Sequence, residues 1–142
     1  MEELGHIYGS VAQFPKEWEL DPAKPVAVTI DGETLSVPPG TTVYDAILKQ
    51  GKTLPSMCYH FAFSAFGSCG ICLVEVEGKS NLVRACTAPV TPNMIVTTDN
   101  PRLREGRKTA VEKWLLVHPL DCPDCDADGN CELQELTYAL NV

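Results

Sequence analysis

The chain has 142 residues, of which 44% are hydrophobic, and its 19 acidic and 11 basic side chains give it a formal charge of −8. This length suits one mid-sized domain or two very small ones, and the apolar fraction is sufficient for a core. The acidic balance argues against nucleic-acid binding, and the absence of an apolar run of about 18 residues excludes a membrane-spanning helix.

Seven cysteines are present, and this odd number leaves at least one thiol outside any complete set of disulfides. The N-terminus lacks the charged and apolar segments of a secretory signal, so a reducing compartment is expected. In such a compartment clustered cysteines usually bind metal or take part in catalysis.

In chain order, residues 1–24 show no regular period and are interpreted as an N-terminal extension. Alternating apolar residues predict a strand over 26–30, and an Asp-Gly turn predicts a hairpin with a returning strand over 34–37. A helix with a threonine cap is expected over 43–50. Strand, hairpin, strand and helix in this order are typical of the beginning of a β-grasp fold.

The segment 54–72 resists regular structure, and a loop of this length in a small domain is usually functional. Strands are then expected over 72–77, 82–86 and 94–98, and helices over 101–118 and 131–140. These elements predict three parts: the extension (1–24), a first domain (25–99) and a second domain (100–142).

The second predicted helix carries four basic side chains, Arg102, Arg104, Arg107 and Lys108. They are most simply interpreted as a solvated helix face, with a docking strip for an acidic partner as the alternative.

The first group of cysteines consists of Cys58, Cys69, Cys72 and Cys86, with the spacing C-x10-C-x2-C-x13-C. Four thiolates, with backbone amides aimed at their sulfurs, are what an iron-sulfur cluster requires. Gly67, Ser68 and Gly70 suit that task because glycine lets the backbone approach closely. Zinc is the alternative, but all-cysteine zinc sites usually contain two close pairs, so the spacing favours 2Fe–2S.

The second group consists of His118, Cys122, Cys125 and Cys131, with the spacing H-x3-C-x2-C-x5-C. Four soft or borderline ligands within fourteen positions can enclose a compact metal centre. The spacing leaves zinc held by three cysteines and a histidine open as an alternative to 4Fe–4S.

Several segments together resemble one known family: 57–60 (MCYH), 67–76 (GSCGICLVEV), 85–90 (ACTAPV) and 118–125 (HPLDCPDC). This is the N-terminal region of the large iron-sulfur subunit of respiratory NADH:quinone oxidoreductase, also called complex I. The same module opens the alpha subunit of NAD-dependent formate dehydrogenases and the diaphorase subunit of soluble hydrogenases. Segments 65–69 and 129–134 look closer to the formate dehydrogenase branch.

The resemblance implies an α+β chain in which a β-grasp, ferredoxin-like 2Fe–2S domain precedes a small helical domain with a histidine-ligated 4Fe–4S cluster. It implies that Cys58, Cys69, Cys72 and Cys86 hold the first cluster. It implies that His118, Cys122, Cys125 and Cys131 hold the second. Gly70 stands where the family commonly has arginine, and loss of that cation should make the first cluster harder to reduce.

The chain contains no dinucleotide-binding or Walker motif and no recognisable catalytic constellation, and His60 is interpreted as a surface residue. The resemblance therefore implies an electron-transfer subunit between a flavin- and NAD(H)-binding iron-sulfur subunit and a downstream redox subunit. It also implies a hetero-oligomer in the cytoplasm or on the cytoplasmic face of a membrane complex. A free ferredoxin-like shuttle and a zinc-stabilised interaction module are the alternatives.

Overall fold

The chain is described by a computed structural model that covers residues 24–142, so the predicted extension 1–24 lies outside the described residues except for Lys24. Within these residues, five strands and three α-helices follow one another, with a single 3₁₀ turn at Cys122–Asp124. They are β1 (Val26–Ile30), β2 (Glu33–Val37), α1 (Val43–Lys49), β3 (Leu73–Val76), β4 (Val83–Arg84), β5 (Met94–Thr97), α2 (Pro101–Leu115) and α3 (Glu132–Leu140).

The strands form one mixed sheet in the order β2-β1-β5-β3-β4. β1 and β5 are parallel, whereas β1 with β2, β3 with β4, and β3 with β5 are antiparallel. Asp31 and Gly32 both adopt positive φ in the β1–β2 turn, as the hairpin prediction required. The predicted α+β architecture, a β-grasp sheet followed by a small helical region, is confirmed.

Two element boundaries differ from the sequence expectation. β4 has only two residues because the chain turns after Arg84, where the amide of Thr87 donates to the Arg84 carbonyl at 3.3 Å. α2 ends at Leu115 instead of continuing to Pro119, since the amides of Val117 and His118 both donate to the Trp114 carbonyl. A residue before proline also disfavours helical backbone. The helix therefore ends early, at the point where two amides share the carbonyl of Trp114.

The apolar core has two parts. The larger part lies between the sheet and α1 and includes the fully buried Val28, Ile30 and Ile47. The smaller part lies between α2, α3 and the long loop, and it contains Ile71, Val111 and Leu133. α2 packs against both β3 and α3. The division of the chain after residue 99 stays a prediction.

One of the four basic side chains on α2 is not on a solvated face. Arg107 is only 5% exposed, and its Nη2 donates to the carbonyls of Leu73 and Thr98, each at 2.6 Å. The interpretation of Arg107 as a surface charge is therefore wrong, because the guanidinium ties α2 to the ends of β3 and β5. Burial lowers the pKa of Arg107 from its ordinary value.

Two more of these basic side chains already have partners. Arg102 donates to the carboxylate of Glu75 at 2.6 Å and also to the carbonyl of Ser80. Arg104 pairs with Asp99 through two of its nitrogens. The alternative interpretation of a docking strip is therefore not supported for Arg102, Arg104 and Arg107, because all three have partners within the chain. None of the helices within residues 24–142 is long and apolar enough to cross a membrane.

Candidate metal centres

The start of the long loop is anchored on α1. The hydroxyl of Tyr44 donates to the carbonyl of Leu54 at 2.9 Å, and its ring lies 4.1 Å from that of Tyr59. The hydroxyl of Tyr59 donates to the carboxylate of Asp45, whose own amide is capped by the hydroxyl of Thr42. Burial and then Asp45 raise the pKa of Tyr59 to about 12. These contacts bring Cys58 to a defined position beside the core.

The far end of the loop is held against two other elements. Gly67 and Gly70 adopt positive φ, as the sequence suggested, and a Cβ on Gly67 would lie 2.8 Å from the Thr87 methyl group. On the opposite side, the indole Nε1 of Trp114 donates to the carbonyl of Cys69 at 3.1 Å. The turn around Cys69 is therefore held between the turn after β4 and helix α2.

The four cysteines of the first group come together as two pairs. The sulfurs of Cys58 and Cys69 are 3.3 Å apart, and the thiols of Cys72 and Cys86 are hydrogen-bonded to each other. Cys69, Cys72 and Cys86 are buried, whereas Cys58 is half-buried. All four thiols are free of disulfides. The assignment of these four residues as the ligands of one cluster stays a prediction.

Backbone amides point at two of the sulfurs. The thiol and the amide of Cys86 donate to the sulfur of Cys72 and lower its pKa to about 6 against the effect of burial, whereas the amide of Ala85 donates to the Cys72 carbonyl at 2.8 Å. The thiol contact, together with burial, raises the pKa of Cys86.

Cys58 shows the same arrangement. Burial raises its pKa, but hydrogen bonds from Cys69 and from the amide and hydroxyl of Ser68 outweigh burial, so the pKa of Cys58 is lowered. These donors offset the charge of a thiolate, which is the form that binds metal. The Gly-Ser-Cys-Gly turn therefore supplies the amides that its composition predicted.

The pairwise geometry bears on the choice between zinc and iron. A zinc site requires four ligands on one ion, whereas each iron of a 2Fe–2S cluster takes two protein ligands. Two pairs of thiols with amides aimed at their sulfurs fit the two-iron group better than a single zinc.

The second ligand set surrounds one cavity. His118, Cys122, Cys125 and Cys131 all line a space of about 220 Å³ between the end of α2 and the start of α3. Cys122 begins the 3₁₀ turn, and Cys131 is the N-cap residue of α3. His118 and Cys125 are exposed, so this site is more open to solvent than the first. A cavity several times the roughly 30 Å³ of a water molecule has room for a compact inorganic cluster.

Several supporting residues were not recognised from the sequence. The indole of Trp114 reaches the carbonyl of a candidate ligand that is 45 positions away in the sequence. Tyr59 and Thr87 flank the ligand cysteines in sequence, and that proximity was the only available signal. His60 was interpreted as a surface residue, and it is exposed, with Nδ1 accepting from the Ala62 amide at 3.2 Å.

Comparison with known families agrees with this geometry. A family model described as a 2Fe-2S iron-sulfur cluster binding domain matches residues 23–101, more than half of the chain. The chain belongs to this family. Residues 107–142 match a second model, described as the NADH-ubiquinone oxidoreductase-G iron-sulfur binding region. The resemblance drawn from the cysteine motifs is thereby confirmed, and both ligand sets fall within the matched segments.

Similar proteins of this family include an NADH-quinone oxidoreductase subunit of Rickettsia bellii, 42% identical over 80% of this chain. The mitochondrial NADH-ubiquinone oxidoreductase 78 kDa subunit of Neurospora crassa is 41% identical over 90%. The NADPH-Fe(3+) oxidoreductase subunit alpha of Geobacter sulfurreducens is 42% identical over 82%. The chain spans only 17%, 16% and 14% of these relatives, respectively.

A solved structure supports the fold. A chain of an NAD+-reducing [NiFe]-hydrogenase in the H2-reduced state superposes with a TM-score of 0.76 and 32% sequence identity. The superposition covers 82% of this chain and 49% of the hydrogenase chain. The iron-sulfur fold of this family therefore extends across both parts of the described chain.

Proposed function

We propose that this chain is an iron-sulfur electron-transfer module. In this proposal Cys58, Cys69, Cys72 and Cys86 hold one 2Fe–2S cluster, and His118, Cys122, Cys125 and Cys131 hold one 4Fe–4S cluster. The observation that carries it is the pairing of four mostly buried thiols under a loop whose amides donate to the sulfurs. When bound, such clusters accept and release single electrons with little change in geometry.

The residues of the first site would hold the cluster, orient the sulfurs that bind it and shield it from water. The pairs Cys58–Cys69 and Cys72–Cys86 each offer two sulfurs, and the amides of Ser68, Cys69 and Cys86 offset their negative charge. The full burial of Cys72 excludes water from that side of the site. Hydrogen bonds to sulfur and solvent exclusion are the means by which a protein sets a cluster potential.

The residues of the second site act differently. His118 is a neutral ligand in place of a thiolate, which by itself raises the potential of a cluster. The 24 residues from Pro119 to Val142 contain six acidic side chains and no basic ones, and this negative field opposes the effect. The two sites therefore differ in exposure, ligand charge and surrounding field.

The named relatives are subunits of NADH or NADPH oxidoreductases, which supports a place for this chain in a multi-subunit complex. We propose that it receives electrons from a flavin- and NAD(H)-binding subunit and passes them to a downstream redox subunit. A peripheral position, on the cytoplasmic face of a membrane complex, is part of the same proposal.

The metal content of anaerobically purified native chain tests this function. We expect a brown protein with about six irons and about six acid-labile sulfides per chain, the sum of the two cluster types. Chemical analysis of iron, zinc and sulfide gives the result directly. A folded, colourless chain with stoichiometric zinc and no sulfide would contradict the proposal and favour a zinc-stabilised interaction module.

The close approach at Gly67 gives a second test. Gly67→Ala is expected to speed loss of the first cluster to an iron chelator by about tenfold, because the new methyl group meets Thr87 and positive φ is strained. Absorbance of the first cluster against time measures the rate. Gly51→Ala is the matched control, since Gly51 also has positive φ but has open space around it. Equal loss rates in the two variants would show that the contact with Thr87 is unimportant.

A further inference from the structure

A cavity of about 520 Å³ opens on the surface where α2 crosses the outer strands, next to the turn that contains Cys69. Its floor and walls come from the Ser68–Gly70 backbone, from β3 and β4, and from α2. Trp114 forms one wall, with its indole fixed by the hydrogen bond to the Cys69 carbonyl. The cavity therefore borders the outer side of the first metal site.

Among residues 24–142, two basic side chains line this cavity, and no acidic side chain of that range does. Arg84 and Lys113 are exposed, and neither has a side-chain hydrogen bond or ion pair within residues 24–142. The other arginines of that part of the chain, by contrast, are bound to carboxylates or carbonyls. In a chain of charge −8, a pair of cations without neighbouring carboxylates is a local exception.

An adjoining cavity of about 410 Å³ extends the same surface. Arg84 lines both cavities, and the second adds Lys79, again without an acidic side chain. We call Lys79, Arg84 and Lys113 the cationic strip. It runs from helix α2 across β4, which is the edge strand of the sheet.

The strip is built on rigid parts of the fold. Gly106 lets α2 approach the sheet, because a Cβ there would lie 2.8 Å from Leu82 Cδ1 and 3.0 Å from Leu73 Cδ1. Arg107 ties the same helix to the sheet through two carbonyls. The spacing between Arg84 on the sheet and Lys113 on the helix is thus fixed before any partner arrives, which lowers the entropy lost on binding.

We propose that the cationic strip is the docking site for an acidic segment of the protein that exchanges electrons with the first cluster. This inference rests on the proposed function, since it concerns access to that cluster. Carboxylates of the partner would enter the two cavities and pair with the unpaired cations. The acidic region after Pro119 would repel the same segment, which directs the partner to the first site.

Binding of a fluorescein-labelled hexaglutamate peptide to the native holoprotein tests the strip. Fluorescence anisotropy at low ionic strength should show saturable binding that weakens as salt is raised, because the charges are exposed and screened. The double variant Arg84→Gln/Lys113→Gln should raise the dissociation constant about tenfold, since two of the three cations are lost. Its iron and sulfide content should equal that of the native chain, which separates this result from failure of the proposed function.

A matched variant distinguishes the effect of the charges in the cationic strip from the effect of the net charge of the chain. The double variant Lys49→Gln/Lys108→Gln also removes two positive charges, but at positions that line neither cavity. It should change the dissociation constant less than about twofold. Equal weakening by both double variants, or no binding by the native chain, would overturn the proposal.

The acidic segment could also belong to a second copy of this chain, and sedimentation distinguishes that case. Self-association of the native chain that is abolished by Arg84→Gln/Lys113→Gln would overturn the assignment to a different protein. A monomeric native chain that binds the peptide through the strip supports it.

Discussion

Cys72→Ser is expected to remove the first cluster and to leave the second in place, so that iron falls from about six to about four per chain. Cys72 is fully buried, and its sulfur accepts from the amide of Cys86. Serine cannot supply a thiolate there, because a hydroxyl keeps its proton at neutral pH. Iron and sulfide analysis, with the electron paramagnetic resonance spectrum of the reduced protein, measures the loss.

His118→Ala is the reciprocal variant and should lower iron to about two per chain while the spectrum of the first cluster persists. The two ligand sets do not interleave in the sequence, and two ligands of the first site, Cys72 and Cys86, pack in the larger core, which contains no ligand of the second. Each variant is therefore the control for the other. Loss of both spectra from either folded variant would contradict independent sites and would point to coupling through the smaller core, where Cys58, Cys69 and Cys131 all pack.

Arg107→Met is expected to lower the free energy of unfolding by about 2–4 kcal/mol, the range for a buried charged group whose partners lose their hydrogen bonds. Methionine fills a similar volume but leaves the carbonyls of Leu73 and Thr98 without the guanidinium donor. The midpoint of urea unfolding of the anaerobic holoprotein, followed by far-ultraviolet circular dichroism, should shift to lower urea.

Lys108→Met provides the control for this variant. Lys108 is the next residue on α2 and has no side-chain hydrogen bond or ion pair within residues 24–142. Its replacement removes the same charge, and surface substitutions of this kind usually change stability by less than about 0.5 kcal/mol. If both variants shift the midpoint equally, the cause is the loss of net positive charge and not the two carbonyl contacts of Arg107.

Much of this fold was predictable because its signals are local. The hairpin needed a turn with positive φ, and Asp31 and Gly32 supply it. Helix α2 begins where Asn100 caps the amide of Leu103 at 2.8 Å, as its sequence indicated. Both cysteine groups were recognisable because the spacing of the candidate ligands can be read directly from the sequence.

Other features were not predictable because they depend on contacts between distant residues. A basic residue on a helix is usually solvated, and nothing near Arg107 in the sequence indicated that two carbonyls from β3 and the end of β5 would meet it. The early end of α2 follows from two amides that share the Trp114 carbonyl, which no periodicity predicts. Hydrogen bonds between residues far apart along the chain produce no recognisable pattern in the local sequence.

The sequence by itself determined which side chains are candidate metal ligands, namely seven cysteine thiols and one imidazole in two separate groups, because side-chain chemistry and order along the chain require no folding. Only the tertiary structure decided that Cys58 pairs with Cys69 and Cys72 with Cys86. It also decided that Arg84 and Lys113 have no partner among residues 24–142 beside the first site, while Arg102, Arg104 and Arg107 do. The physical reason is that pairing, burial and the direction of an amide depend on which distant segments the packed core brings together.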